Sequence, residues 1–429
     1  MIQKPKGTYD VYSDYGKNIK YVEKLLEALM EKYNYEFIRT PIFESSNLYH
    51  RTVGETTDIV SKETYDFKDR SNRDMTLRPE GTAGVVRSYI ENKRYAEANI
   101  PLKTWYYGPM FRYERPQSGR FREFYQFGVE VFGSNDPIVD AEVISIPVTL
   151  YKLLGLKGIK VNINSLGDNE TRNNYRDALL KHFKPHLSEL CEDCKTRYEK
   201  NPLRIIDCKV DHDLDCIKNA PKILDYLNEE SKEHFKKVGE YLDLMGIEYN
   251  VDPNIVRGLD YYTNTVFEVE ADIEGFGGQN VLCGGGRYNN LVENLGGNKT
   301  PAVGFALGFE RLMSALEMEE IKLDTDTLDI YIIPMSENEK KYAYKLCSDL
   351  RMNGFSVDID YMNRNIKSNF KQADRLGSKY IIIIGENEIN TNLLTIKNNN
   401  TKEEYKVKVD ELIEFFDKSI EEKWYNEKK

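Results

Sequence analysis

Between Phe111 and Gly133 the chain reads FRYERPQSGRFREFYQFGVEVFG, in which Arg112, Arg115, Arg120 and Arg122 stand among seven aromatic residues. A guanidinium presents a planar fork that matches phosphate oxygens two at a time. Several of them beside Phe124, a ring able to stack on a base, point to a bound nucleotide and its polyphosphate. Gln126 and Glu130 follow on the same pattern and suit a smaller polar ligand next to the nucleotide. The implied chemistry is that of a phosphorylated substrate meeting a second, hydrogen-bonding one.

A strand must position these groups. Because side chains alternate across a strand, Phe124, Gln126, Gly128 and Glu130 share one face of EFYQFGVEVF, and Tyr125, Phe127, Val129 and Val131 share the other. The second face is apolar throughout and predicts a core. The first combines a ring, an amide, a gap and a carboxylate, as a pocket wall would; a solvated sheet face is the plain alternative. KTWYYGPMF, before the basic loop, is the predicted partner strand, making the stretch a hairpin. Another hairpin is predicted in TYDFKDRSNRDMTLRP, and helices in residues 14–32 and in GTAGVVRSYIENK. Strands are predicted in DYYTNTVFEVE and QNVLC, a glycine-rich turn in GGGRYNNL, and a strand entering a helix in VGFALGFERLMSAL. FIRTPIF reads as extended, with Pro41 unable to donate to a ladder. Hairpins with helices between them predict an α+β fold on an antiparallel sheet. The glycines of CGGGRYN permit the close backbone approach that a pocket wall needs, though a tight turn explains them too.

Residues 169–247 are charged and helical in pattern and are expected to form an insertion. From DTDTLDIYIIP onward, LDIYII, FSVDIDY and KYIIIIG alternate with helical stretches; LLTIK, EYKVKV and a helix from about Asp410 follow, predicting a separate C-terminal α/β domain. A chain of 429 residues is long enough for more than one domain and a large core. Forty per cent apolar and 12% aromatic residues exclude a disordered chain. The longest aliphatic run, IIII at 381–384, excludes a helical membrane span. MIQKPKGTYDVY lacks the apolar core of a secretory signal, so a cytoplasmic location is expected. The net charge of −11 speaks against nonspecific coating of nucleic acid but leaves room for a local basic groove.

Cysteines in such a chain are expected as thiols. Cys191, Cys194, Cys208 and Cys216 are spaced C-x2-C-x13-C-x7-C. The first pair has the spacing of zinc ligands and the second does not, so no metal is assigned, and a structural zinc at these four stands as the alternative.

Taken together, these stretches resemble the class II aminoacyl-tRNA synthetases, and most closely the histidyl-tRNA synthetase family. FRYERPQSGRFREFYQFGVEVFG is similar to motif 2 of that class, PIFESSNLYHRTVGETTDIVSKETYDF to its motif 1 region, and PAVGFALGFERL to its motif 3. VRGLDYYTNTVFEV and CGGGRYNNLVENLGG resemble segments peculiar to the histidine enzymes. A lone FRxE carries little; this set in this order carries a great deal.

The resemblance implies a ligase that activates L-histidine with ATP, accompanied by Mg2+, to histidyl-adenylate and transfers histidine to the 3′ end of tRNA(His). It implies that Arg112 grips the amino acid carboxylate and the α-phosphate, and that Arg257 sits against the α-phosphate where related synthetases use a metal ion. These two would be the catalytic residues, although a salt bridge of Arg257 with Asp260 or a neighbouring carboxylate is the plain alternative. Glu114 would meet the adenine side, Phe124 would stack on the base, and Arg120 with Arg311 would hold the β- and γ-phosphates. Glu80, Gly81 and Thr82 with Gln126 would receive the α-amino group. Glu130 and Tyr262, with Tyr261 beside them, would bracket the imidazole; a site that bonds both ring nitrogens rejects analogues lacking either.

Arg115 and Gln117 would contact the acceptor end of the tRNA, or else belong to a solvated loop. Basic residues in NRNIKSNFKQADRLGSK could face the anticodon arm or form a solvated helix face. The resemblance further implies a homodimer built on the motif 1 segment. It implies a catalytic domain over 1–325 interrupted by the insertion, and an anticodon-binding domain over 327–429. Two other families share parts of this pattern. The regulatory subunit of ATP phosphoribosyltransferase, a paralogue, lacks the C-terminal domain predicted here. A synthetase for glycine, proline or threonine does not account for Glu130 with RGLDYY.

Overall fold

The computed structural model describes residues 1–53, 62–97, 99–115, 119–208, 210–257, 259, 261–276, 280–325 and 327–426, with side chains as far as 419. The chain divides into two compact units, Met1–Leu323 and Asp324–Lys429.

The first unit opens with α1 (Ser13–Tyr33), whose Ile19, Val22, Leu26, Leu29 and Met30 are buried at helical spacing; it stops at Asn34, which takes the left-handed conformation at φ 58°. Next come β1 (Glu36–Phe37), β2 (Phe43–Ser45), α2 (Ser46–Val53), β3 (Tyr65–Lys68), β4 (Asp74–Leu77) and α3 (Thr82–Glu91). The stretch FIRTPIF is strand only at its two ends, so Pro41 lies between β1 and β2 and breaks no ladder. β3 and β4 form the predicted hairpin, extended by β2 into a small antiparallel sheet.

β5 (Leu102–Phe111) and β6 (Glu123–Phe132) are the hairpin that carries the basic loop, in register from Leu102 opposite Phe132 to Phe111 opposite Glu123. After α4 (Pro137–Leu153) and β7 (Ile159–Ser165) the insertion contributes α5 (Asn169–Phe183), α6 (Glu192–Lys200), α7 (Leu203–Ile206), α8 (Asp215–Lys218) and α9 (Glu229–Leu244). Asp168 and Asn228 cap α5 and α9 by accepting the amides of Thr171 and Ser231, each at 2.9 Å. β8 (Tyr249–Val251), β9 (Thr263–Ala271), β10 (Val281–Arg287), α10 (Leu291–Asn294), β11 (Ala302–Gly308) and α11 (Phe309–Met318) complete the unit. The large sheet runs β1-β5-β6-β11-β10-β9-β7-β8 and is antiparallel except at its two edge pairs.

Phe127, Val129 and Val131 of β6 enter a core with Phe267 and Val269 of β9, Phe305 and Leu307 of β11, and the apolar sides of α1, α4 and α11. Each such side chain contributes about 1.5–3 kcal/mol by leaving water, which fixes the face that β6 turns inward and leaves Phe124, Gln126 and Glu130 for the other.

The residues predicted as a glycine-rich turn are strand: Gly284, Gly285 and Gly286 lie within β10, paired to β9 and β11. The reason is steric. A Cβ on Gly284 would overlap the Arg257 guanidinium, and one on Gly285 would overlap the backbone of Gly304 and Phe305. Next to them Arg287 is fully buried against fully buried Asp140 of α4, its Nε 3.0 Å from both carboxylate oxygens and its Nη1 2.9 Å from the Ser134 carbonyl. Burial opposes the charge on Asp140, but Arg287 outweighs it and holds the carboxyl below the usual range.

The second unit contains β12 (Ile330–Pro334), α12 (Glu337–Met352), β13 (Val357–Ile359), α13 (Ile366–Arg375), β14 (Tyr380–Ile384), α14 (Glu386–Thr391), β15 (Leu393–Asn398), β16 (Glu404–Lys408) and α15 (Leu412–Asn426). Its sheet runs β13-β12-β14-β15-β16, parallel across the first three strands and antiparallel across the rest. The unbroken run in β14 reflects its central, largely buried place between β12, which it pairs in parallel, and β15, which it pairs antiparallel.

Asp140→Ala is expected to destabilise the first unit by about 3–5 kcal/mol, because it strands a buried guanidinium, whereas Asp140→Leu with Arg287→Met restores most of the loss. Urea unfolding followed by near-ultraviolet circular dichroism checks both.

Candidate active site

The outer face of β6 forms one wall of a cavity of about 200 Å³. Glu130 lies at its closed end, 1% exposed. Thr82, the first residue of α3, donates its hydroxyl to Glu130 Oε1 at 2.7 Å, and the Tyr288 hydroxyl donates to Oε2. Burial pushes the Glu130 carboxyl up to about 8 against the opposing effect of those two hydrogen bonds, with Glu80 adding to the rise. Glu80 is also buried and raised by desolvation; it accepts the amides of Thr82 and Ala83 at 2.7 and 2.8 Å, so it closes the start of α3. Tyr261 and Tyr262 pack ring to ring beside them with centroids 4.7 Å apart, and Tyr261 meets Tyr288 edge-on at 5.6 Å. Gln126 lines the cavity, is 8% exposed, and its Oε1 has no hydrogen-bond partner among the described residues.

The other end is basic. Arg112, Arg120, Arg257 and Arg311 all line the same cavity. Arg112 donates Nε to the Pro79 carbonyl at 2.9 Å and lies over the Phe124 ring, 5.2 Å from its centroid. Glu114 stands between Arg112 and Arg120, at 3.8 and 3.3 Å. Arg311 donates Nη1 to the Val281 carbonyl at 2.9 Å. Burial lowers its pKa and the neighbouring guanidiniums of Arg120, Arg112 and Arg257 lower it further, against the pull of Glu114. Positive charges held this close, partly out of water, repel one another and favour negative charge between them.

Arg257 pairs with Glu268 of β9, and its Nε has no partner among the described residues. Burial opposes its charge, yet Glu268 keeps the pKa above the usual value. The ion pair expected as the plain alternative therefore exists, Glu268 being the neighbouring carboxylate, and it does not remove Arg257 from the cavity; Asp260 lies outside the described residues.

Of the other residues singled out in the sequence, Gly81 is buried beside the wall, where a Cβ would overlap the Tyr106 ring. Arg115 is exposed and does not line the cavity, and Gln117 lies outside the described residues. Part of the motif 1 stretch, residues 54–61, lies outside them as well. Gln126 and Glu130 are buried, which excludes the solvated-face reading of β6.

Three contributors were missed. Tyr288 was assigned to a turn; read as strand, the alternation through Gly284 and Gly286 places it on the cavity side. Glu268 stands on the face of β9 that also holds Asn264, Val266 and Glu270, a mostly polar alternation in which it carried no distinct signal. Glu310, pushed up to about 7 by burial, accepts the Tyr9 hydroxyl at 2.6 Å and the Tyr125 amide at 2.8 Å, a contact no local pattern shows.

The four cysteines do not converge as their spacing was weighed. Cys191, Cys194 and Cys208 gather with Asp211, whereas Cys216 groups with His186 and Glu189. Spacing counts residues along the chain, and the turn after α7 brings Asp211, not Cys216, back to α6.

An antiparallel sheet bearing a carboxylate-lined pocket at one end of a cavity and four arginines at the other, followed by a separate α/β unit, is the architecture of a class II aminoacyl-tRNA synthetase. The sequence profile for histidyl-tRNA synthetase matches residues 7–312, and that for an anticodon binding domain matches 329–419. The chain belongs to the histidyl-tRNA synthetase family. It is 52% identical over 414 residues to the histidine–tRNA ligase of Geobacillus sp. (strain WCH70), covering 96% of this chain and 98% of that one. It is 51% identical over 420 residues to the histidine–tRNA ligase of Staphylococcus aureus (strain JH9), covering 97% and 100%. The crystal structure of the apo S. aureus histidyl-tRNA synthetase superposes with a TM-score of 0.83 at 46% identity, over 97% of this chain and all of that one (100%).

The raised carboxyl of Glu130 makes stability depend on pH. Its folded value of about 8 exceeds the ordinary 4.5, so its contribution is complete below pH 4.5 and is lost as pH rises through 8. Between about pH 5 and about pH 9 the urea midpoint of the wild type is expected to fall relative to that of Glu130→Gln. Parallel midpoints across the range would refute the shift.

Proposed function

We propose that the protein activates L-histidine with ATP and charges tRNA(His) through the cavity described above. The observation that carries this is the polarity of one cavity: a buried carboxylate among tyrosines at one end and four guanidiniums at the other. Histidine fits the first end. Glu130 accepts one imidazole N–H and the Tyr262 hydroxyl serves the second nitrogen, while Glu80, Thr82 and the unpaired Gln126 oxygen receive the α-ammonium, with Gly81 leaving Tyr106 room to close the wall. Tyr261 packs behind Tyr262.

The carboxylate of the bound amino acid then points at the arginines. ATP, entering as its Mg2+ complex, stacks its base on Phe124 with Glu114 on the adenine side, and Arg120 and Arg311 hold the β- and γ-phosphates. A carboxylate oxygen attacks the α-phosphorus, the bond to the pyrophosphate oxygen breaks, and Arg112 and Arg257 neutralise the charge that gathers on the α-phosphate. The adenylate then gives its acyl group to a ribose hydroxyl at the tRNA 3′ end, releasing AMP. Positioning and fixed positive charge supply most of the acceleration.

For the tRNA, Lys367, Lys371 and Arg375 are exposed at helical spacing on α13, whereas Arg364 is tied to Asp360 at 2.7 Å and Lys379 to Asp329 at 2.7 Å. The first three are the residues we assign to the anticodon arm, and Arg115 with Gln117 to the acceptor end. A homodimer through the motif 1 region is supported by exposed Ile42, Phe43 and Phe67, a patch unusual for a surface. Among the described residues no helix is long and apolar enough to cross a membrane, in keeping with work in the cytoplasm.

Pyrophosphate exchange with each of the twenty amino acids tests the assignment. Exchange with histidine alone is expected, falling roughly 100-fold or more in Glu130→Ala; exchange with no amino acid would favour the regulatory paralogue. Arg257→Ala is expected to lose adenylate formation far more than ATP binding, and equal losses in both would reduce Arg257 to the partner of Glu268.

A further inference from the structure

A second constellation lies in the insertion. Cys191 precedes the first turn of α6, Cys194 lies within it, and Cys208 and Asp211 follow α7; their ligand atoms lie within 4.8 Å of one another. Cys194, Cys208 and Asp211 are 0%, 4% and 5% exposed, and Cys191 is half-buried. The Cys191 and Cys208 sulfurs are 3.9 Å apart. A tetrahedral ion with bonds of about 2.3 Å to sulfur sets its ligands ~3.8 Å apart, the spacing of the Cys191 and Cys208 sulfurs, and the other ligand atoms need close in by no more than about 1 Å. Asp211 Oδ2 accepts the Cys191 amide at 3.0 Å, an orienting bond of the kind that fixes metal ligands.

We propose that Cys191, Cys194, Cys208 and Asp211 form a structural zinc site in the insertion. Three thiolates select zinc over the hard cations that prefer all-oxygen shells, and four protein ligands leave no position open for a substrate. The surrounding structure needs such a crosslink. α7 and α8 have four residues each, too short to hold their shape alone, and their apolar side chains, such as Leu203 and Ile205, join with Leu190 a buried cluster that also holds Tyr175, Leu179 and Phe183 of α5. A metal joining the start of α6 to the turn after α7 supplies folding energy where the helices are shortest.

The test uses the full chain, purified under reducing conditions without a metal-affinity step, loaded with excess zinc and desalted. About one zinc ion per chain is expected by elemental analysis, released as the thiols are titrated with an organomercurial. Cys208→Ser and Asp211→Ala are expected to bind zinc at least about tenfold more weakly, while Cys216→Ser keeps it. Cobalt substituted into the wild type should show thiolate-to-metal charge transfer and the visible bands of a tetrahedral ion, a readout that needs no variant to fold. Less than about a tenth of an equivalent of zinc in the loaded wild type, or no such cobalt spectrum, overturns the proposal. Zinc retained by Cys208→Ser, or lost from Cys216→Ser alone, overturns the ligand set.

Discussion

In the large sheet Gly304 of β11 stands directly opposite Glu130 of β6, and the carboxylate fills the space a side chain on Gly304 would take. That close approach sinks the acid into the sheet, out of water, and the elements around it are arranged to make the burial tolerable. Thr82 reaches one oxygen because Glu80 closes the start of α3, and Tyr288 reaches the other because Arg287, the residue before it, is clamped to Asp140 of α4. A helix, a strand end and the back of the sheet are thus tied to a single carboxyl group.

The cavity pairs that costly acid with an equally costly basic end. Carboxyls at one extreme are held above their ordinary pKa by lost hydration, and Arg311 at the other is held below its own by burial and by its guanidinium neighbours. Both extremes become easier when a ligand carries an ammonium and ring N–H groups to the acids and phosphates to the arginines. On the assignment proposed above, a substrate pair with that polarity would lie in one direction, with the reacting carboxylate between the two groups of charges. Fixed groups of this sort act on developing charge with little reorganisation.

Much of this was legible in the sequence because it depends on local periodicity. Alternation in β6 separated core from cavity, the hairpins followed from paired runs around polar turns, and the second unit announced itself by strands alternating with helices. The residues that escaped depend on distant partners. Tyr9 and Glu310 meet across almost the whole first unit, Asp140 and Arg287 come together only when α4 lies behind β10, and Asp211 joins the cysteines through a turn that spacing does not encode. The misread glycines have the same origin: three in a row suggest a bend when the neighbouring strand and Arg257 are not in view.

The glycine strand has a further, genetic consequence. Every missense change in a glycine codon introduces a side chain, and at Gly284, Gly285 and Gly286 a Cβ would overlap, respectively, the Arg257 guanidinium, the backbone of β11 and the backbone of β9. Gly285 and Gly286, which face backbone, therefore have almost no neutral missense neighbours, and drift there is confined to silent third-base changes, whereas at Gly284 the obstacle is the end of a long side chain that a substitution would push aside from the cavity. The segment that looks chemically emptiest is the one in which the gene is least free to wander.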